Sequence, residues 1–284
     1  MYRFFLFLPF FLFSVLATAG SECPSRFLNG VSPEITNTAM MPYARKLCFD
    51  EYAVMHSGIT RTPLWSAEHL TKNGLRNAKG LERVNSFHEE ERLPASDRAY
   101  LSDYARSGYD RGHQAPSADF SNAKSQNESF SLANMVPQDP NNNRNLWEGI
   151  ESAVRKLAKN RGELYVITGP LFLGQSIKRL HGRVMVPTHL YKVVYDPERR
   201  AGAAYFVENS ATNHYEVISI SDLEQKAGID FFPGMHTSDK KEKMGLPTPT
   251  PHGSSRGEMS HGSGGDYSAS QASNGMRALR ALFR

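Results

Sequence analysis

The stretch "SGYDRGHQAP" (residues 107–116) decides how this chain is interpreted. It places an acid, an arginine, a glycine and a histidine in a row between turn-forming residues, which packing alone does not require. Gly108 and Pro116 predict a loop or a strand end around His113. Histidine is well suited to accept a proton near neutral pH, so His113 is a candidate general base. Its ordinary pKa of about 6.5 predicts that activity falls as the pH drops through that value.

A second stretch, "SLANMVPQDPNNNRNLWEGIE" (residues 131–151), is dense in asparagine and runs into the main predicted helix, from about residue 143 to 159. Apolar residues recur there at helical spacing. Asparagine is common at helix starts and in turns. We therefore interpret three of these side chains as turn and capping residues: Asn141, Asn142 and Asn145.

Asn143 and Glu151 are candidates for a cation site. Eight helical residues rise about 12 Å, so both side chains cannot bind one small ion directly, but they could share it through water. Magnesium fits this pattern because it keeps several waters and takes few protein ligands. Zinc fits poorly, since the sequence has no H-E-x-x-H motif and only two cysteines.

Alternating apolar residues and turn signals predict several strands. They lie at residues 51–57, 62–70 and 162–173, and a hairpin covers residues 184–209. A further helix is expected to begin at Ser221 and end at Gly228. Strands and helices neither alternate regularly nor segregate. This favours an α+β fold with a mostly antiparallel central sheet flanked by helices.

The N-terminal stretch "MYRFFLFLPFFLFSVLATA" (residues 1–19) has one charge, a short apolar run and an A-x-A ending. These features predict a cleaved signal peptide and a periplasmic or secreted protein that does not contact the membrane after cleavage. Cys23 and Cys48 are the only cysteines. In an oxidising compartment we expect them to form one disulfide, which could stabilise the fold by roughly 3 kcal/mol.

Composition divides the rest of the chain into two parts. Residues 20–246 are mixed and long enough for the core of one domain. Residues 247–284 begin as a run rich in Pro, Gly and Ser, which predicts a disordered tail. The formal net charge of +4 allows an anionic partner without requiring one.

Four motifs in order carry a resemblance to a known family: "DRGHQAP", "NMVPQDPNNNRNLWEGIE", "YVITGPLF" and "VPTHLYKVV". They resemble the DNA/RNA non-specific endonucleases of the ββα-metal type, the family that includes mitochondrial endonuclease G. The resemblance runs from roughly residue 48 to 232. It implies a ββα-metal motif at the active site of the α+β fold.

The resemblance also implies roles for individual residues. His113 matches the general base that takes a proton from the attacking water, and Asn143 matches the one direct protein ligand of Mg²⁺. Glu151 matches the glutamate that holds metal-bound water. Asn134 matches a further active-site asparagine, and Arg111 matches the motif arginine.

The family also uses an arginine upstream of its histidine motif. Arg83, in "LERVNSFHEEERLP", is the nearest candidate for that position, which lies near the transition state in the family. A second group of basic residues lies on the main helix, and we interpret it as a solvated helix face, with a patch that faces nucleic acid as the alternative. Its members are Arg155, Lys156, Lys159 and Arg161.

The function implied is an exported, Mg²⁺-dependent endonuclease that cuts DNA and RNA internally and leaves 5′-phosphate ends, with Mn²⁺ expected to substitute. Contacts mainly to phosphates would make it non-specific. Two alternatives stay open: a binding protein of the same fold that has lost its chemistry, and a hydrolase of another phosphodiester. The oligomeric state is open, and a homodimer is one possibility.

Overall fold

The computed structural model describes residues 22–251. The predicted signal peptide and most of the predicted tail therefore lie outside the described residues. No helix within residues 22–251 is long and apolar enough to cross a membrane.

Thirteen strands are present in this range. They are β1 (Glu34–Ile35), β2 (Ala44–Cys48), β3 (Tyr52–Ser57), β4 (Thr62–Thr71), β5 (Asp110–His113), β6 (Met135–Gln138), β7 (Glu163–Leu171), β8 (Arg179–Leu180), β9 (Val184–Met185), β10 (His189–Asp196), β11 (Ala201–Glu208), β12 (Glu216–Ile218) and β13 (Ile229–Asp230). The helices are α1 (Lys72–Ala78), α2 (Leu101–Tyr104), α3 (Ala123–Ser129), a π helix (Asn142–Trp147), α4 (Glu148–Arg161), α5 (Ile220–Ala227) and α6 (Thr237–Lys241). Short 3-10 turns lie between them.

A seven-stranded sheet forms the centre of the fold, in the order β12, β11, β10, β7, β4, β3, β2. Every neighbouring pair is antiparallel. Side chains alternate between its two faces, so one face packs on α5 and the other on α1 and α4. The α+β class with a mostly antiparallel sheet is confirmed.

The predicted strands correspond to β3, β4, β7 and the β10–β11 hairpin. The start of the late helix differs from the prediction by one residue. Ser219 Oγ accepts a hydrogen bond from the Asp222 amide at 3.0 Å, so Ser219 caps the helix and α5 begins at Ile220. Gly228 ends α5 with φ at +65°, as predicted.

β5 and β6 form a separate two-stranded sheet, and the helix that follows β6 continues into α4, which packs on the central sheet. The DRGH segment is not a loop, since Asp110 pairs with Gln138 and His113 with Met135. The helix begins earlier than predicted. The Asp139 side chain accepts hydrogen bonds from the amides of Asn141 and Asn142, which caps a helical segment that starts at Pro140. Its residues Asn142–Trp147 are π-helical rather than α-helical.

The two ends of the described chain are both tied to the core. Cys23 and Cys48 form the predicted disulfide, with their Cα atoms 5.9 Å apart. The first five residues of the predicted tail, 247–251, run along the protein surface. The Pro247 carbonyl accepts a hydrogen bond from Tyr205, and Pro249 is buried. The absence of a side chain at Gly149 on α4 leaves room for the Thr250 carbonyl.

Gly112 lies in β5, where close packing against Gln138 of β6 requires a glycine. A Cβ added there would lie 2.7 Å from Gln138 Cβ, so Gly112→Ala should lower the free energy of unfolding by on the order of 1–3 kcal/mol. Gly245→Ala is the matched control, because a Cβ there meets no atom within 4 Å. Urea denaturation of both variants tests this prediction. Equal stability of the two variants would contradict it.

Candidate active site

A cavity of about 930 Å³ opens between β5, the π helix and α4, and the segments that precede β5. Five of the residues predicted for the active site line it: Arg83, Arg111, His113, Asn143 and Glu151. The predicted Asn134 does not line it. The cavity wall also contains Arg106, Tyr109, Asp110, Arg144, Glu148 and Arg155.

His113 stands in an aromatic wall of this cavity. Its ring packs edge-on against Phe130 with centroids 4.8 Å apart, and lies 5.7 Å from the Phe87 ring. Only 8% of the residue is exposed. Nε2 is buried and has no hydrogen-bond partner within the described chain. The aromatic contacts therefore orient the imidazole, and no hydrogen bond from the described residues holds its Nε2.

The electrostatic surroundings keep His113 neutral. Burial, then the positive charges of Arg83 and Arg111, lower the pKa of His113 from 6.5 to about 3. The loss of activity near pH 6.5 expected from the sequence therefore does not follow for His113 in this structure. A base with a lowered pKa stays unprotonated, and able to accept a proton, well below that pH.

The two arginines next to His113 are positioned by aromatic rings. The Arg111 guanidinium lies 4.1 Å from the Phe87 ring centre, and its buried Nε has no partner among the described residues. The Arg83 guanidinium lies 5.4 Å from the Phe130 ring centre, and its Nε donates to Asn85 at 3.0 Å. These contacts leave positive charge at the cavity surface, where an anionic group could bind.

The Asp110 carboxylate connects β5 to the π helix. It accepts a hydrogen bond from Asn143 Nδ2 at 2.9 Å and two from Arg144 at 2.7 and 2.8 Å. Because Asn143 uses its amide nitrogen in this contact, its amide oxygen is the atom left to bind a cation. Asp110 thus fixes which end of the Asn143 side chain is available.

Glu151 lies further along the same helix, in a cluster of buried charges. Burial raises the pKa of Glu151 to about 7, although Lys192 and Arg155 lower it. Arg155 donates to Asp119 at 2.9 Å. Lys192 is buried in the sheet and donates to Thr168 at 2.6 Å. The sheet therefore supplies a positive charge beneath the acidic side of the site.

Glu68 belongs to the same cluster. It is 1% exposed, and neither carboxylate oxygen has a hydrogen-bond partner in the described range. Burial and the nearby Asp119 raise the pKa of Glu68, whereas Lys192 lowers it. Burying a charged carboxylate without hydrogen bonds costs free energy. The positive charge of Lys192 reduces that cost for the acidic groups around it.

Asn134 is fully buried behind the cavity wall. Its amide nitrogen donates to the carbonyls of Ala115 and Ser129, and its amide oxygen accepts from the Ala115 amide and from Ser66 Oγ. The Gln114 amide donates to the Asn134 carbonyl at 3.0 Å. Asn134 therefore positions the backbone that follows His113, with all its amide groups used within the protein.

Sequence reasoning missed several charged residues of this site, among them Arg155 and Lys192. Arg155 was grouped with a solvated helix face, but its side chain is only 16% exposed and lines the cavity. The available signal was its position four residues after Glu151, on the same helix face. No sequence pattern marks Lys192 as a site residue, because it lies in a strand among apolar residues. The pairing of β10 with β7 brings it close to the site. Lys156 and Lys159 are exposed, as predicted.

The side chains that could bind a metal in this cavity fit a hydrated cation such as Mg²⁺ better than they fit Zn²⁺. No cluster of three or more His, Cys, Asp or Glu side chains able to hold a metal occurs among residues 22–251. A closed zinc site is therefore absent from this part of the chain. The Asn143 amide oxygen and the Glu151 carboxylate line a cavity with room for water, which suits a hydrated cation such as Mg²⁺.

Comparisons with known proteins agree on one family. A sequence model described as DNA/RNA non-specific endonuclease matches residues 33–238. Nuclease C1 of Cunninghamella echinulata is 34% identical over 66% of this chain and 83% of its own length. A nuclease of Nostoc sp. is 38% identical over 72% and 80%, and bovine mitochondrial endonuclease G is 32% identical over 78% and 80%. A solved structure of the EndoG/EndoGI complex aligns with a TM-score of 0.64 at 28% identity, covering 70% of this chain and 92% of that one.

The lowered pKa of His113 predicts an unusual titration. In metal-free protein, the His113 ring should stay neutral from pH 7.5 down to about pH 5, because its pKa is about 3. Arg83→Gln should raise this pKa by removing a neighbouring positive charge. NMR of the histidine ring C–H signals, with His113→Ala for assignment, measures both effects.

Arg76→Gln is the matched control for this titration, since Arg76 is exposed on α1 and does not line the cavity. It should leave the His113 titration unchanged. A His113 midpoint near 6.5 in the parent protein would contradict the account of its surroundings.

Proposed function

This chain belongs to the DNA/RNA non-specific endonuclease family, and from that premise we propose that it hydrolyses phosphodiester bonds of both DNA and RNA with His113 as general base. It is an endonuclease. The observation that carries the proposed mechanism is a neutral histidine, His113, that lines one cavity together with Asn143 and Glu151. Internal cleavage would leave 5′-phosphate ends.

His113 has the properties that proton transfer from water requires. His113 lines the cavity, and the low pKa of its ring keeps the base form populated at neutral pH. A low pKa also limits its strength as a base. A bound phosphate would place negative charge beside the ring and raise its pKa towards the working range.

Arginines supply the positive charge for the phosphoryl group. Arg83 and Arg111 border His113, and Arg155 lines the wall next to Glu151. Guanidinium groups bind phosphate oxygens through two parallel hydrogen bonds, which stabilises the charge that develops during cleavage. Contacts of this kind go to the backbone of the nucleic acid and carry little sequence information.

Asn143 and Glu151 would hold the divalent cation, Asn143 through its amide oxygen and Glu151 through hydrogen bonds to the hydration shell. When bound, Mg²⁺ neutralises charge on the phosphate and on the leaving oxygen. Mn²⁺ has a similar preference for oxygen ligands and should substitute. Asp110 orients Asn143 for this role, and Lys192 offsets part of the rise that burial causes in the pKa of Glu151.

Export from the cytoplasm is the second part of the proposal. The Cys23–Cys48 disulfide supports an oxidising compartment, and the apolar segment of residues 1–19 supports a signal peptide. The named relatives include mitochondrial nucleases. N-terminal sequencing of the protein from its native compartment would distinguish cleavage after Ala19 from retention of the segment.

Asn143→Ala should weaken dependence on the metal selectively. Outer-shell partners of metal ligands already change metal affinity 10–100-fold, so loss of a direct ligand should raise the Mg²⁺ concentration for half-maximal activity by at least about tenfold. Asn145→Ala is the control, because Asn145 lies in the same π helix without lining the cavity. Mg²⁺ titrations of nuclease activity in both variants are the measurement. An unchanged titration for Asn143→Ala would remove Asn143 from the site.

The substrate class is tested by comparing rates on duplex DNA, single-stranded DNA, RNA and a small chromogenic phosphodiester. We expect cleavage of all three nucleic acids. Cleavage of the small ester alone would favour a hydrolase of another phosphodiester. Binding of nucleic acid without cleavage under any metal would favour a protein of this fold that has lost its chemistry.

A further inference from the structure

The short β8–β9 hairpin abuts one wall of the cavity. His181, at its turn, lies with Nε2 3.1 Å from the Ala105 carbonyl. Lys178, just before β8, places its ammonium 4.8 Å from the centre of the Tyr109 ring. Ala105 and Tyr109 both line the cavity. The hairpin is therefore a direct continuation of the cavity rim.

Positive charge is concentrated on this hairpin and on the neighbouring Arg61. The guanidinium groups of Arg61 and Arg179 both donate to the Arg183 carbonyl at 3.1 Å. Arg183 itself pairs with the buried Asp103 at 3.0 Å. We call Lys178, Arg179, Arg183 and Arg61 the hairpin surface. Asp103 is the one carboxylate that forms an ion pair with it within residues 22–251.

Most hydrogen bonds of the hairpin surface go to backbone carbonyls. Because carbonyls carry no full negative charge, the positive charges of this surface repel one another. Burial and the nearby Arg183 lower the pKa of Arg61. Lys178 and Arg179 are exposed, whereas Arg61 and Arg183 are half-buried. Like charges at this spacing are destabilising in the free protein, and an anion bound across them would remove that penalty.

Backbone strain coincides with the same region. Arg61, Arg106 and His181 have positive φ values of 55°, 55° and 46°. Seven non-glycine residues in the described range have positive φ, and three of them are these basic residues around the hairpin and the cavity rim. Left-handed backbone at bulky residues is uncommon and tends to cluster at functional sites. The strain supports a functional reason for presenting these side chains here.

We propose that the hairpin surface is a second phosphate-binding site, which holds the polynucleotide beyond the phosphodiester bond that lies in the cavity. The proposal rests on the proposed nuclease function and extends it. The cavity engages the phosphate that is cut, and the hairpin surface engages phosphates further along the same chain. The enzyme therefore favours long polymers over short oligonucleotides, without reading their sequence.

Binding measurements separate this site from the cavity. In EDTA and with His113→Ala as the background, fluorescence anisotropy gives the Kd for single-stranded DNA of about 30 and of about 6 nucleotides. Lys178→Ala/Arg179→Ala should raise the Kd for the long strand about tenfold, and at least fivefold more than for the short one. Removing two phosphate contacts should also reduce the slope of log K against log salt by about 1.4 for single strands.

Lys241→Ala/Lys243→Ala is the matched control. It removes the same formal charge from exposed positions at the end of α6 and just after it, and neither residue lines the cavity. It should leave the Kd for both strands within about twofold. Lys178→Glu, a single exposed substitution, should weaken long-strand binding further, so the test does not depend on the double variant folding well.

The outcomes distinguish this proposal from the function on which it rests. If the hairpin variants bind the long strand as tightly as the control does, the second site is wrong while the nuclease function stands. If both strands lose affinity equally, these residues act within the cavity and the proposal also fails. If the background protein binds neither strand, both proposals are overturned.

Discussion

The contact between Asp110 and the π helix is the constraint on which the active site depends. β5 carries Asp110 at one end and His113 at the other, so a carboxylate that holds the helix also sets its position relative to the imidazole. The bidentate contact with Arg144 adds a rigid, charge-assisted link on the outer side. Loss of this carboxylate would separate the proposed base from the proposed cation ligand without altering either one.

The central sheet supplies the second constraint on the active site. It acts through hydrogen bonds and charge rather than through direct contact with the substrate. Ser66, Thr168 and Lys192 form a polar row across three neighbouring strands, because each is paired with the next in register. Ser66 donates to Asn134 behind His113, and Lys192 places its charge beneath Glu151. Residues of the sheet that do not line the cavity thus support residues that do.

Local alternation and turn residues were sufficient for five strands of the central sheet, whereas the ββα unit and the set of five cavity residues came from motifs that resemble the endonuclease family. The sequence did not reveal the π-helical segment at Asn142–Trp147. The neutral state of His113 depends on Arg83, thirty residues away in sequence, and on burial. Lys192 looked like any other strand residue because its partner Thr168 is brought to it only by tertiary strand pairing.

The most direct test of the account is the nicking of supercoiled plasmid by the parent protein, by His113→Ala and by His214→Ala, an exposed histidine outside the cavity. With Mg²⁺, the parent and His214→Ala should cut at similar rates, and EDTA should stop both. His113→Ala should be slower by about 10²–10⁴-fold, the usual contribution of a general base. Cutting by His113→Ala at the parental rate, with the same metal dependence, would contradict the central claim.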